Sequence, residues 1–228
     1  MSGSRNPEAL SPALDDDARS LRPGTDHTAC APGDLVLVLG GVRSGKSAHA
    51  ERLALSCGGD EVLYVATAVA PPDDMALRER IRRHRSRRPP AWKTLECPLR
   101  LGPRVEAVIR RADPPRVVLL DCVTLWISNI LFALEKEADH AGRADWTPDA
   151  AAFEQAAERE IDDLIAVIRR SPCRWIVVSS ETGLGIIAPT SLGRIYCDVL
   201  GLANQRLAAA AGDVRLVVAG RALSLPAR

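Results

Sequence analysis

Residues 40–47 have the side chains and the spacing to hold a polyphosphate. They read Gly-Gly-Val-Arg-Ser-Gly-Lys-Ser, a complete G-x-x-x-x-G-K-S phosphate loop, and they directly follow the apolar run 35–39. A buried strand that ends in a glycine-rich turn before a helix points several backbone N–H groups at one spot, where a polyphosphate can bind. In such a loop Lys46 would reach the β- and γ-phosphates, and the Ser47 hydroxyl would ligate Mg²⁺. The sequence therefore predicts a site for a nucleoside triphosphate.

A second nucleotide signature lies at Asp121, which ends the segment Arg-Val-Val-Leu-Leu-Asp at residues 116–121. A carboxylate at the end of a buried strand can hold Mg²⁺ through the metal's water shell, across from the phosphate loop. Many strands end in aspartate, so this signal is weak by itself. Together with the phosphate loop it predicts that Asp121 and Ser47 serve the same metal ion.

The segment 77–92 is unusual because seven arginines surround a single histidine, His84. One interpretation is a solvated helix face; the other is that some guanidiniums bind a triphosphate and stabilise its charge during transfer. Neighbouring cations would also lower the pKa of His84 below its usual value of about 6.5, which leaves a neutral ring able to attack phosphorus. A histidine in a basic helix is more often structural or exposed, so the residues alone leave its role open.

From residue 34 onward, short apolar runs alternate with amphipathic segments, which predicts an α/β domain with a mainly parallel sheet flanked by helices. The predicted strands span residues 35–39, 62–66, 117–121, 175–179 and 214–218, with 92–96 as a less regular sixth. The predicted helices span residues 44–55, 74–88 and 147–170, the second capped by Asp73 and the third by Thr147. The polar, aperiodic stretch 135–146 is interpreted as an excursion that forms a lid or a subunit contact.

Length and composition exclude several other classes of protein. The 228 residues suffice for a single domain, which we place at 34–228, after a disordered tail at 1–33. A formal charge of +1 gives no overall attraction to nucleic acid, and six cysteines without C-x-x-C spacing do not suggest a zinc site. No apolar stretch approaches the ~20 residues that span a bilayer, and no secretory signal is recognisable, so we expect a cytoplasmic protein without membrane insertion.

The order of several motifs resembles the bifunctional adenosylcobinamide kinase and adenosylcobinamide-phosphate guanylyltransferase family of cobalamin biosynthesis. The resemblance covers about residues 34–219, and its combined motifs are far more specific than a phosphate loop. The motifs are Gly-Gly-Val-Arg-Ser-Gly-Lys-Ser at 40–47, Tyr-Val-Ala-Thr-Ala at 64–68, Arg-Ile-x-x-His-Arg-x-x-Arg-Pro at 80–89, Trp-x-Thr-x-Glu at 92–96, Leu-Leu-Asp-Cys at 119–122, Ser-Ser-Glu-Thr-Gly-x-Gly-Ile at 179–186 and Asn-Gln-Arg-Leu-Ala at 204–208.

The resemblance implies a P-loop NTPase (RecA-like) fold and two successive reactions. The enzyme would phosphorylate adenosylcobinamide with ATP or GTP. It would then transfer GMP from GTP to adenosylcobinamide phosphate through a GMP-histidine intermediate, with release of pyrophosphate. The resemblance also implies Mg²⁺ as cofactor and a homotrimer.

The family's site residues fall on matching positions of this chain. His84 is the implied nucleophile, and Lys46 is the implied catalytic lysine of the loop. Ser47 and Asp121 are the implied metal-binding residues. The implied nucleotide contacts are Gly40, Gly41, Val42, Arg43, Ser44, Gly45, Lys46, Ser47, Ala66, Thr67, Ala68, Arg85, Ser86, Arg87, Arg88, Glu96 and Asp121.

An alternative from another class is a P-loop ATPase that binds nucleic acid through residues 78–88. Arginine-rich helices do bind phosphate backbones, although the near-neutral total charge and the absence of interleaved aromatic residues in that segment give this alternative little support. A regulatory GTP switch is a third alternative, and no guanine-reading N-K-x-D sequence is present. We therefore expect small-molecule substrates and no nucleic-acid partner.

Overall fold

The computed structural model describes residues 33–70, 73–140, 149–185 and 187–226, without the side chains of residues 139 and 140. The predicted tail thus lies outside the described residues except for Gly33, whose N–H donates to the carbonyl of Cys173 at 2.9 Å. The strands are β1 (Leu35–Gly40), β2 (Val62–Ala66), β3 (Lys93–Glu96), β4 (Val117–Asp121), β5 (Arg174–Val178), β6 (Asp213–Val218) and β7 (Arg221–Leu225). The helices are α1 (Lys46–Gly58), α2 (Met75–Ser86), α3 (Leu101–Ile109), α4 (Val123–His140), α5 (Ala150–Arg169) and α6 (Ser191–Ala210).

The seven strands form one sheet in the order β3-β2-β4-β5-β1-β6-β7. All neighbouring strands are parallel except β6 and β7, which form an antiparallel pair. The register pairs Ala66 with Asp121 and Asp121 with Val178, while Val38 also pairs with Val178. The carboxyl ends of β1, β2, β4 and β5 therefore meet at one edge, which is where parallel α/β sheets bind ligands.

The sheet is buried on both faces, which explains why its strands are continuous apolar runs. In β1, Leu35, Leu37 and Leu39 point into the larger core together with α3, α4, α5 and α6. Val36 and Val38 point into the smaller core, which contains α1 residues and Trp92. Because side chains alternate between the two faces along β1, Val36 and Val38 pack against α1 and hold that helix over one face of the sheet.

The α/β class and the parallel sheet are confirmed, whereas several element assignments need correction. Residues 135–140 belong to α4 and are not an excursion, because they extend a helix whose apolar side, including Ile127, Leu131 and Ala138, is buried. The rest of the predicted excursion, 141–146, lies outside the described residues. Asp74, not Asp73, caps α2 by accepting from the N–H of Leu77 at 2.8 Å. Asp149 caps α5, and the predicted cap Thr147 lies outside the described residues.

The sequence interpretation missed four elements, which are α3, α4, α6 and β7. It placed the other strands within about one residue of their observed ends. None of the described helices is long and apolar enough to cross a membrane.

Candidate active site

The phosphate loop joins β1 to α1 through close backbone contacts. A Cβ at Gly40 would lie 2.5 Å from Ser44 Oγ and 2.6 Å from the carbonyl oxygen of Val217, so only glycine fits there. Gly45 caps α1 with φ of +95°, in the left-handed region. The N–H of Gly220 donates to the carbonyl of Ser44 at 2.8 Å, so the turn between β6 and β7 braces the loop. These contacts hold the first N–H groups of α1 at the carboxyl edge of the sheet.

Lys46 lies at the start of α1 and is buried, with Nζ donating to the carbonyl oxygen of Gly41 at 3.1 Å. Burial lowers the pKa of this ammonium, and the nearby Cys122 and Asp121 oppose that shift. The Lys46 ammonium has three N–H donors and uses one of them in this hydrogen bond, so others can donate to phosphate oxygens, which are strong acceptors.

Ser47 and Asp121 lie together, with the serine Oγ 3.4 Å from Asp121 Oδ1. The other carboxylate oxygen, Oδ2, accepts a hydrogen bond from the Tyr64 hydroxyl at 2.6 Å. A hydroxyl and a carboxylate oxygen are the hard donors that Mg²⁺ prefers, so this pair suits that ion. Tyr64 is almost fully buried, and burial raises its pKa well above the usual range for tyrosine, so it is a permanent donor here.

His84 lies on α2 and faces this carboxylate, with Nδ1 3.9 Å from Asp121 Oδ2 and the side chain 25% exposed. The guanidinium of Arg87 lies 3.4 Å from the same nitrogen. The pKa of His84 is lowered, chiefly by burial and further by Arg87, Arg80 and Arg88, while Asp121 opposes the shift. The direction agrees with the sequence prediction, but burial ranks ahead of the arginines as its cause. The ring is therefore neutral near pH 7 and retains a lone pair.

The arginines of α2 and the residues after it have different partners. Arg82 and Arg83 bind Glu79 at 2.7 and 3.0 Å on the exposed side of the helix. Arg88 lies over the Tyr64 ring, 3.6 Å from its centroid. The interpretation of this segment as a solvated helix face thus fits Arg82 and Arg83. Arg88, by contrast, packs against Tyr64, which hydrogen-bonds to Asp121.

Two further arginines bridge α2 to neighbouring elements. Arg85 lies 3.6 Å from Glu96 at the end of β3, and Arg87 lies 3.8 Å from Glu51 on α1. Burial raises the pKa of Glu51, although Arg87 opposes that change. Since none of the twelve residues of α2 is more than partly buried, these ionic contacts contribute to holding the helix over the site.

Two cavities meet at His84. The outer cavity, about 830 Å³, lies between the phosphate loop and α2. The inner cavity, about 180 Å³, extends below α2 to the ends of β2, β4 and β5. Val42, Lys46, Ser47, Leu77, Arg80 and His84 line both.

Most of the residues expected at the site line one of these cavities. Arg43, Ser44, Gly45 and Arg87 line the outer cavity. Ala66, Ala68, Arg85, Arg88, Glu96 and Asp121 line the inner cavity. Thr67 is fully buried, and its hydroxyl donates to the carbonyl of Cys122 at 2.8 Å. The Ser86 hydroxyl donates to the carbonyl of Arg83 within the helix. Nucleotide contacts remain predictions for all of these residues, and Gly40, Gly41, Thr67 and Ser86 line neither cavity.

Sequence reasoning assigned no role to Tyr64 or Glu51. Tyr64 lies two residues before Ala66, on the same face of β2. A tyrosine in a buried strand needs a hydrogen-bond partner for its hydroxyl, and this need was the signal that the sequence offered. Glu51 lies one helical turn beyond Ser47 on α1, and that spacing places both on one side of the helix. Leu77 and Thr124 also line the inner cavity, and no motif or spacing in the sequence predicts this position for them.

A phosphate loop after β1, an aspartate at the end of β4 and this strand order define a P-loop nucleotide-binding enzyme of the α/β class. The chain belongs to the CobU family, described as cobinamide kinase / cobinamide phosphate guanyltransferase, whose model matches residues 36–225. It is 43% identical over 186 residues to the bifunctional adenosylcobalamin biosynthesis protein CobU of Salmonella typhimurium, covering 82% of this chain and 96% of that protein.

The chain is also 40% identical over 189 residues to the bifunctional adenosylcobalamin biosynthesis protein CobP of Pseudomonas aeruginosa, covering 83% of this chain and 95% of that protein. Among solved structures, the ATPase domain of G40P is a distant neighbour with 11% identity and a TM-score of 0.45, covering 81% of this chain and 69% of that chain.

Proposed function

We propose that this chain phosphorylates adenosylcobinamide and then transfers GMP to adenosylcobinamide phosphate, with His84 as the nucleotide carrier. Membership of the CobU family supports the two activities. The observation that carries the assignment of His84 is its position on the wall of both cavities, 3.9 Å from Asp121 and beside the phosphate loop. Of the histidines in the described residues, His84 is the one that lines these cavities.

In the kinase step the phosphate loop and Lys46 bind the triphosphate of ATP or GTP. The acceptor hydroxyl attacks the γ-phosphorus, the bond to the bridging oxygen breaks, and the nucleoside diphosphate leaves. Lys46 stabilises negative charge on the phosphate oxygens because its ammonium is buried and already aimed at the loop. Ser47 and Asp121 would hold Mg²⁺, which neutralises charge on the phosphates when bound.

In the transfer step a ring nitrogen of His84 attacks the α-phosphorus of GTP, and pyrophosphate leaves. The phosphate oxygen of adenosylcobinamide phosphate then attacks the same phosphorus. The nitrogen–phosphorus bond breaks, which gives adenosylcobinamide-GDP and restores the imidazole. Burial keeps the ring neutral before the attack, because it lowers the pKa of His84. The attacking nitrogen and the leaving oxygen must lie on opposite sides of phosphorus.

We also propose that the enzyme acts in the cytoplasm. From the family resemblance we propose, in addition, that it assembles as a homotrimer. Sedimentation equilibrium of the purified chain tests the second proposal through the measured mass.

Product analysis tests the two activities separately. The purified chain is incubated with adenosylcobinamide and ATP, then with added GTP, and the corrinoids are separated by chromatography. We expect adenosylcobinamide phosphate first and adenosylcobinamide-GDP after GTP. Lys46→Ala should lose both products, whereas His84→Ala should form the first and not the second. An unmodified corrinoid with the native chain and both nucleotides would refute the proposed function.

A further inference from the structure

The loop between β5 and α6, residues 179–190, begins at the wall of the inner cavity. Ser180 lines that cavity together with Lys46 and Asp121. The motif at 179–186 is prominent in the sequence, yet the nucleotide site described above gives no role to any of its residues. The rest of this β5–α6 loop therefore needs an explanation of its own.

Both ends of the β5–α6 loop are anchored. At its start the N–H of Ser180 donates to Thr124 Oγ1 at 2.8 Å, and the N–H of Glu181 donates to the carbonyl of Gly40 at 3.2 Å. At its end Arg194 donates to the carbonyls of Ala188 and Pro189, each at 3.1 Å. The two ends of the loop thus have defined positions, and the first lies beside the phosphate loop.

The middle of this loop presents large apolar side chains to solvent. Leu184 is 80% exposed and Ile187 is 79% exposed, the highest values among the large apolar residues that the structure describes. Large apolar groups that are exposed close together can form a surface that binds an apolar ligand or partner. Leu184 follows the cavity-lining Ser180 by four residues.

Charge separates this side of the site from the α2 side. Residues 182–189 include no charged side chain, whereas the outer cavity is lined by Arg43, Arg80, Arg83 and Arg87. A triphosphate is drawn to the arginines. In-line transfer places the acceptor opposite the leaving group, which is the nucleoside diphosphate in the kinase step and His84 in the second half of GMP transfer. His84 lines the outer cavity with these arginines, so the acceptor approaches from the other side. The uncharged part of the β5–α6 loop, which follows Glu181, is then the side left for the acceptor.

We propose that Leu184 and Ile187 form the subsite for the corrinoid ring of the acceptor, an inference that rests on the proposed function. The ring is broad and carries methyl groups on its faces, so it can cover both side chains. The hydroxyl to be phosphorylated is on a flexible arm of the ring. That arm enters the inner cavity past Ser180, toward Lys46 and Asp121.

Direct binding measurements test this subsite. Equilibrium dialysis of adenosylcobinamide, followed by its visible absorbance, is compared for the native chain, Leu184→Ser, Ile187→Ser and the double variant. Loss of one buried apolar side chain should raise the corrinoid Kd about tenfold, and loss of both about a hundredfold. The Kd for GTP should stay within about twofold, because no phosphate contact is changed. Leu55→Ser is the matched control, since Leu55 is 48% exposed on α1 and lines neither cavity.

Three results would overturn the proposal, and they have different meanings. Unchanged corrinoid affinity in the double variant, with both activities present, would refute the subsite and leave the proposed function intact. A changed oligomeric state with unchanged corrinoid affinity would assign Leu184 and Ile187 to a contact between copies. Failure of the native chain to bind the corrinoid would refute the subsite and the proposed function together.

Discussion

The Tyr64 hydroxyl lies 2.6 Å from Asp121 Oδ2, and it leaves Asp121 Oδ1 facing Ser47 at 3.4 Å. β2 and β4 are neighbouring strands, so this hydrogen bond crosses from one strand to the end of the next. Arg88 lies over the other side of the tyrosine ring. Tyr64 therefore fixes which oxygen of Asp121 is presented to Ser47.

Tyr64→Phe should impair the metal-dependent steps without unfolding the protein. A hydrogen bond to a charged group contributes about 1.5–3 kcal/mol, so we expect nucleotide turnover to fall roughly tenfold or more. The Mg²⁺ concentration for half-maximal nucleotide binding, measured by dialysis, should rise because Asp121 is free to rotate. Tyr196→Phe is the matched control, since that hydroxyl donates to the carbonyl of Thr124 at 2.7 Å. An unchanged Mg²⁺ dependence in Tyr64→Phe would show that the tyrosine does not position Asp121.

Gly40→Ala should destabilise the protein before any nucleotide is added. The new methyl group would lie 2.6 Å from a backbone oxygen of Val217, so the loop or β6 must shift. Such overpacking costs about 1–3 kcal/mol of the free energy of unfolding, which thermal denaturation detects. Gly41→Ala is the control, because its Cβ would meet nothing within 4 Å. Equal melting temperatures for the two variants would contradict this account of the loop.

The pH dependence of GMP transfer to the enzyme should follow the lowered pKa of His84. The neutral ring is the nucleophile, so single-turnover transfer from GTP should stay constant as the pH falls to the ordinary histidine value of 6.5 and decline only below it. Arg87→Gln removes a cation that lowers this pKa, and it should shift the decline toward higher pH. A native profile that already declines above pH 6.5 would contradict the burial of the ring.

The same shift has a consequence for stability. Because the folded pKa of His84 lies below the unfolded value, the unfolded chain takes up this proton first as the pH falls. The stability associated with the neutral ring is complete above the unfolded value and is lost as the pH falls through the folded pKa. The free energy of unfolding of His84→Ala, measured by urea denaturation, should therefore depend less on pH in that acidic range. Identical pH slopes for His84→Ala and the native chain would rule out this contribution.

The sequence predicted the features that depend on local signals. The phosphate loop and β4 are each a single continuous segment of the chain, so the motif at 40–47 and Asp121 could be recognised directly. Helix α4 was missed although the buried Trp126, Ile127, Ile130 and Leu131 recur at helical spacing, because the apolar Leu125 and Phe132 lie off that face and reduce the contrast between the two sides of the helix. Helix α6 has a weak pattern and includes Gly193 and Gly201, which disfavour a helix assignment.

The roles of Tyr64 and Glu51 depend on contacts between distant parts of the chain. Tyr64 meets Asp121 only because β2 pairs with β4 in the observed register. Glu51 meets Arg87 only because the end of α2 lies against α1. No local pattern encodes these approaches, so Asp121 and the arginines after α2 could be identified as candidate site residues without their partners Tyr64 and Glu51.

The most direct test of the central claim is transfer of the α-phosphate of GTP to His84. After incubation with GTP labelled at the α-phosphate, the native chain should carry acid-labile, alkali-stable label, as a phosphoramidate does. His84→Ala should carry none, whereas His49→Ala, a histidine on α1 that lines neither cavity, should carry the native amount. Label on His84→Ala equal to that on the native chain would show that another residue is the nucleotide carrier.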